Sequence, residues 1–297
     1  MIKMKKKETK MLLTRLEGLR EGIIINRPSK IIKSPYVADV LLNGKEIMAH
    51  TPSLGCCGLA ERGSNVLMMP IEKKKNKEEK CIYRVVLSIY KENELAQEQY
   101  IGIYPLLAEN IVEECIKKNG LQFLKNIKSY TKQTEILNSK FDFTGIDENN
   151  IPFILEVKNV PLADYVDCSK KEKKKIIDKL DKSDINKKIA YFPDGYRKSS
   201  NDIVSPRALK HINELCEIKK ASKTRTICCF VIERTDVDVF QPSHIDEVYR
   251  KAVQDAWISG VEIMALMVRW ERDGTCRLVN NSVPIKLFEE IGPINRG

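Results

Sequence analysis

The sequence lacks any apolar run long enough to cross a membrane. Its longest runs, such as Ile227 to Ile232, are strand-sized, against the roughly 20 residues a spanning helix needs. The N-terminus, Met1-Ile2-Lys3-Met4-Lys5-Lys6-Lys7, has no apolar stretch followed by small residues, so no secretory signal is expected. No C-x-x-C spacing occurs among the nine cysteines (56, 57, 81, 115, 168, 216, 228, 229 and 276). An odd, scattered set excludes a disulfide framework and a zinc site, and unpaired thiols imply an intracellular location, cytoplasmic or nuclear. Only two tryptophans are present, and no feature points to a carbohydrate enzyme. There is no internal repeat, and 14 Gly with 12 Pro are too few for a fibrous or low-complexity chain.

What is present is a core-forming composition, 42% hydrophobic and 31% charged over 297 residues, enough for two domains. The formal net charge is +10. A basic balance favours polyanionic partners, nucleic acid before an anionic membrane surface, although a lysine-rich composition alone would give the same charge.

Residues 1–26 form a basic leader in which Leu12, Leu13, Leu16 and Leu19 recur at helical spacing. From 27 to 105 the pattern changes to short strands. Tyr36–Leu42, Asn43-Gly44 and Lys45–His50 predict a hairpin, because Asn-Gly supplies the two positive φ angles of a type I′ turn. Further strands are expected at Ser64–Met69, Lys80–Tyr90 and Tyr100–Tyr104. Five or so short strands suggest a small barrel, the OB fold being one such architecture. From 106 to 297 helices and strands mix. Leu107–Lys118 is helical and ends at Gly120. Strands follow near 131–138, 141–146 and 152–160. Ser205-Pro206 opens a helix to Lys220, with Ser as N-cap and Pro at the first turn. Strands at Thr224–Glu233 and Val261–Glu271 flank a helix at Ser243–Ser259. Between Asp167 and Lys188 lies an excursion with nine lysines and five acids, expected to be a surface insertion.

One grouping carries chemistry: Phe141-Asp142-Phe143 and Leu155-Glu156-Val157-Lys158, separated by the turn-forming Asp147-Glu148-Asn149-Asn150. A hairpin closing over 147–151 sets Asp142 opposite Glu156, with Cβ atoms about 4.5–5.5 Å apart. Lys158 shares their face, and Phe141, Phe143, Leu155 and Val157 face a core. Two carboxylates held that close repel unless a divalent cation lies between them. Mg²⁺ or Mn²⁺ suits such oxygen donors, and a neighbouring lysine can orient a water or offset charge developing on a phosphoryl group. The same three residues could also form a surface charge ladder.

The chain resembles the sugar fermentation stimulation protein A (SfsA) family. The matching segments run in family order: Tyr36-Val-Ala-Asp39-Val40, Pro52-x-x-Gly55, Gly102-Ile-Tyr, Val112-Glu113-Glu114, Asp142-Phe143, Glu156-Val-Lys158-Asn-Val160, Phe192-Pro193-Asp194, Arg207-Ala-Leu-Lys210-His211, Val231-x-x-Arg234-x-Asp236, Phe240-x-Pro242 and Gly260-Val261-Glu262. The resemblance implies an N-terminal OB-like barrel, a C-terminal PD-(D/E)XK nuclease-like α/β domain and binding of nucleic acid, DNA preferred. Asp142, Glu156 and Lys158 match the nuclease signature, and Glu113 matches a family helix residue that would add a third carboxylate to the metal. Lys33, Tyr36, Arg62, Asp194, Arg207, Lys210 and His211 are the expected nucleic-acid contacts. Two departures stand out: Pro35 replaces an arginine common before the aromatic, and Ser53-Leu54-Gly55-Cys56-Cys57 replaces a more polar loop. The function implied is a nucleic-acid-binding protein with a Mg²⁺-dependent nuclease centre. A catalytically silent DNA-binding protein of the same fold is the alternative.

Overall fold

The computed structural model describes residues 11–53, 58–72, 80–168, 175–176, 188–193 and 203–288. Asp194, most of the lysine-rich excursion and residues 54–57 of the altered loop lie outside them.

The first described segment is extended rather than helical. Strand β1 (Met11–Arg15) pairs antiparallel with β16 (Thr275–Asn280), and β2 (Arg20–Asn26) is a barrel strand, so the barrel begins inside the expected leader. The leucine spacing misleads because the partner of β1 is at the far end of the chain. A ladder to a distant strand overrides a local helical period. Leu13 and Ile24 are buried, whereas Leu12 is exposed.

Strands β2, β3 (Val37–Leu42), β4 (Lys45–His50), β5 (Asn65–Pro70) and β6 (Tyr83–Tyr90) run in the order β4-β3-β2-β5-β6. A parallel pairing of Ala49 with Tyr83 and His50 with Arg84 closes the ring. This is the expected OB-like barrel. Asn43 and Gly44 both take positive φ, 50° and 77°, as the type I′ turn demands. Ile24, Ala38, Val40, Ala49, Val66, Met68 and Val85 fill the interior.

Strand β7 (Gln99–Gly102) leaves the barrel beside β6 and touches a second array through Tyr100↔Trp270. That array mixes helices and strands, as expected: α1 (Pro105–Lys117), β8 (Ser129–Ile136), β9 (Ser139–Ile146), β10 (Pro152–Val160), then α2 (Pro206–Ala221) and β13 (Arg225–Ile232). Strands β8, β9 and β10 form an antiparallel meander, while β10, β13 and β15 (Glu262–Trp270) are parallel. A small sheet of β11 (Ala163–Asp164), β12 (Ile189–Phe192) and β14 (Val239–Pro242) lies apart, and α3 (Glu247–Ile258) packs beside α2.

Helices cover both faces of this sheet. Leu107, Ile111, Val112 and Cys115 of α1 join Phe143, Leu155, Val157 and Cys229 in one core. Ala208, Ile212 and Leu215 of α2 join Ile154, Cys228 and Phe230 in the other, with Tyr249 and Val253 of α3. The adjacent Cys228 and Cys229 thus point to opposite cores, as alternation along a strand requires. Pro206 occupies the first turn of α2, and the Ser205 side chain accepts from the Ala208 N–H, as expected. At the end of α1 the left-handed residue is Asn119 (φ 52°) rather than Gly120, because Asn tolerates that region nearly as well.

Candidate functional site

The ladder between β9 and β10 stops at Leu155↔Phe143. Past it, β9 continues with β8 and β10 with β13. The next pair in phase is Asp142 and Glu156, so the phase matches the expectation while the backbone pairing does not extend that far. At this opening the Asp142 side chain takes over from the ladder: its Oδ2 accepts the Val157 N–H at 2.7 Å. Phe141 also departs from its expected place. It packs against His211 in the α2 core, across the sheet from Phe143.

The Lys158 ammonium lies 2.5 Å from Glu156 Oε1. His211 Nδ1 bonds the same oxygen and stands 3.5 Å from Lys158 Nζ. All four groups are shielded: Asp142 is 6%, Glu156 3% and His211 4% exposed, and the Lys158 side chain 11%. Glu156 Oε2 is buried with no hydrogen-bond partner. Gln133, at an unusual φ of 55°, aims its amide into the same opening. It donates to Asp142 Oδ1 at 3.1 Å and to Glu109 Oε2 at 2.9 Å.

The electrostatics are uneven. Burial pushes the Asp142 carboxyl up to about 7, and the charges of Glu156 and Glu109 push the same way. Burial and then Glu156 likewise raise Glu109. Burial also works against ionised Glu156, but Lys158 and His211 outweigh it and hold that carboxyl below its ordinary range. The opening therefore holds three carboxylates and a single ammonium.

Glu113 needs correcting. It is engaged a turn beyond this centre, bound to Lys132 at 2.6 Å and Tyr130 at 3.2 Å, and its carboxyl is held low chiefly by Lys132. Glu109, one turn earlier on the same helix face, is the α1 carboxylate whose charge reaches Asp142. The i,i+4 relation of the two was visible in sequence, but the packing of α1 on the sheet selects between them. Gln133 and Glu109 were both missed; Gln133 left no signal, since its role depends on a left-handed backbone inside a strand. His211 also needs correcting as a phosphate contact: it is buried against Glu156. Arg207 and Lys210 are exposed on the first turns of α2. The charge of Arg207 reaches Glu109, while Lys210 bonds the carbonyl of Asn138. Lys33, Tyr36 and Arg62 are exposed on the barrel, and no hydrogen bond or ion pair among the described residues links them to the centre.

A family model described as the sugar fermentation stimulation protein RE domain matches residues 106–274, which span α1 through the turn after β15. This chain belongs to the SfsA family. Sugar fermentation stimulation protein homologs resemble it over most of their length. That of Clostridium kluyveri is 26% identical over 81% of this chain and 86% of its own. That of Clostridium perfringens strain 13 is 27% identical over 83% and 89%. That of Trichodesmium erythraeum is 28% identical over 83% and 84%. Among solved structures, Pyrococcus furiosus SfsA in complex with Ca²⁺ superposes with a TM-score of 0.70, covering 93% of this chain and 99% of that one at 18% identity. At that identity the likeness speaks to the fold, barrel and sheet together.

Other SfsA motifs in this chain serve the fold. Asp39 is buried, and its carboxylate accepts from the Lys30 N–H at 2.8 Å and from Asn26, tying the 27–36 segment onto β3. Arg234 and Asp236 form a two-bond ion pair at 2.6 and 2.7 Å, which Lys188 completes from the return end of the excursion. Asp167, at the departing end, accepts from Gln241, Ser243 and the His244 N–H.

Proposed function

We propose that this SfsA protein hydrolyses phosphodiester bonds in nucleic acid, DNA in the first place, with a divalent cation held by Asp142 and Glu156. The observation that carries this reading is the buried, unpartnered Glu156 Oε2 beside a second carboxyl raised first by burial and then by its carboxylate neighbours. Such a cluster is costly unless a cation balances it. Among the described residues no three His, Cys, Asp or Glu stand close enough to hold an ion as they are. The donor set nevertheless fits: carboxylate oxygens suit Mg²⁺, Mn²⁺ or Ca²⁺, and the relative from Pyrococcus furiosus was solved with Ca²⁺.

When bound, the cation supplies Lewis-acid polarisation of a phosphoryl oxygen. The protein's own groups do the rest. Lys158 Nζ, fixed by Glu156 Oε1, can hold an attacking water through an N–H donor and offset charge building on the phosphoryl oxygens. The ring of His211, wedged against Phe141, fixes the rotamer of Glu156. The Val157 N–H keeps Asp142 aimed into the opening, and Arg207 at the rim offers a phosphate partner next to the start of α2.

Cation titration of the full chain by calorimetry, with cleavage of end-labelled single-stranded and duplex DNA in Mg²⁺ or Mn²⁺, tests this reading. Binding that Glu156→Gln removes, together with cleavage, is expected. The double hold of Lys158 and His211 on Glu156 Oε1 favours the silent DNA-binding alternative, and cation binding without cleavage of any DNA would establish it.

A further inference from the structure

At one end of the barrel four flat side chains form a row across strands that are distant in sequence. Tyr36 precedes β3 and stacks on His50 at the end of β4, their rings 13° from parallel with centroids 6.4 Å apart. His50 lies opposite Arg84 at the parallel seam that closes the barrel. Arg84 sits over the Tyr104 ring, 4.9 Å from its centroid, and donates to the Tyr104 hydroxyl at 3.2 Å.

Two properties separate this row from ordinary packing. It remains accessible, with Tyr36 40% exposed and the other three residues half-buried. It also carries uncompensated positive charge. Arg234 and Arg225 are each ion-paired to carboxylates. By contrast, Arg84 and Arg27 have no carboxylate partner among the described residues. Arg27 bonds only the carbonyls of Pro35 and Ser53, and Arg84 Nε has no partner at all. Exposed Lys33 lies on the same loop as Tyr36.

The row ends where α1, the helix that carries Glu109, begins. Tyr104 is the N-cap of α1, and Glu109 follows five residues later, about 7.5 Å along the axis at 1.5 Å per residue. From the other side, Asn159, next to Lys158, donates to the Gly102 carbonyl at 3.0 Å. Rings interleaved with unpaired cations suit a chain of unpaired bases, whose π faces stack while the phosphates meet the arginines. A paired duplex offers no base faces to such a row.

We infer that Tyr36, His50, Arg84 and Tyr104 form a stacking platform for unpaired bases, and that the centre takes a single strand or frayed end fed along the start of α1. This rests on the nucleic-acid reading above and adds the substrate class. The test is fluorescence anisotropy of the full chain with labelled oligo(dT) and with a blunt hairpin duplex of equal length, in EDTA so that neither cation binding nor cleavage enters. Oligo(dT) is expected to bind at least tenfold tighter than the hairpin. Tyr36→Ala should cost about tenfold for oligo(dT) and leave the hairpin unchanged, Tyr36→Trp should restore binding, and the melting temperature should not move. Preference for the duplex, undiminished binding by Tyr36→Ala, or no binding of either probe overturns the inference. Selective oligo(dT) binding without any cleavage in Mg²⁺ would leave the platform standing and remove the nuclease reading.

Discussion

Two clusters of acid and base among the described residues are built to opposite standards. Around Arg234, Asp236, Lys188 and Glu92 every charge meets its opposite: Lys188 lies 2.8 Å from Glu92 and 2.9 Å from Asp236. The cations stack on Tyr90 and Tyr165 as well. Burial works against ionised Asp236, but Arg234 and Lys188 prevail and bring its carboxyl down to about 2. Around Asp142, Glu156 and Glu109 the acids outnumber the single ammonium, one oxygen has no partner, and the Asp142 carboxyl rises to about 7. The first cluster joins barrel to sheet. The second is strained, and a fold tolerates such strain where function needs it. Glu233 marks the boundary of that lesson. It is fully buried and raised to about 8 by burial, with one bond from Trp270 at 2.6 Å. A lone carboxyl relieves its own strain by keeping a proton, whereas three neighbours cannot all do so near neutral pH.

The largest expected difference between the two clusters is catalytic. Glu156→Gln and Lys158→Ala should each lower Mg²⁺-dependent cleavage by about 10²–10⁴-fold with the circular dichroism spectrum unchanged. Equal cleavage by wild type and variants would strip the strained cluster of its role.

The same substitution in the two clusters should then act with opposite signs on stability. Asp236→Asn leaves Lys188 and Arg234 partly uncompensated, an expected loss of about 3 kcal/mol in urea unfolding at pH 7. Asp142→Asn removes a carboxyl that resists ionisation, an expected gain of about 1–3 kcal/mol without divalent cation.

The pH profiles follow the same division. The folded Asp142 carboxyl binds its proton more tightly than the unfolded one, so its stabilising effect is full below about pH 4 and fades as pH rises towards 7. Asp236 does the reverse: its contribution is full above about pH 4 and is lost as pH falls through 2. Melting temperatures from pH 4 to 7 should slope less steeply downward in Asp142→Asn than in wild type, with Glu233→Gln separating the overlapping share of Glu233. An unchanged slope would show that Asp142 is not strained.

The smallest expected effect concerns the rim. Arg207→Ala with Lys210→Ala should reduce the salt slope of DNA binding by about one to two units, at about 0.9 per duplex phosphate or 0.7 per single-strand phosphate. No change would place the phosphates elsewhere.

Much of this architecture could be read from local chemistry. Asn43-Gly44 specified its turn because few other residue pairs accept two positive φ angles. Ser205-Pro206 specified the start of α2, and the β10 and β13 strands were apparent in their apolar runs. The N-terminal strands were not legible, since β1 finds its partner in β16 and four leucines at helical spacing carry no trace of that pairing.

By itself the sequence determined which positions of the hairpin come level, Asp142 with Glu156, because placing the turn sets the register; the strict alternation that would put Phe141 beside Phe143 gives way in the fold. It also settled the opposite facing of Cys228 and Cys229, where alternation along the strand holds. Tertiary structure alone decided that Glu109 rather than Glu113 reaches the carboxylates, that His211 is drawn inward from a basic helix start to grip Glu156, and that Gln133 bridges two acids. Each of those outcomes depends on how α1 and α2 dock on opposite faces of one sheet. Docking is governed by the shape of cores assembled from distant segments, which no local spacing encodes.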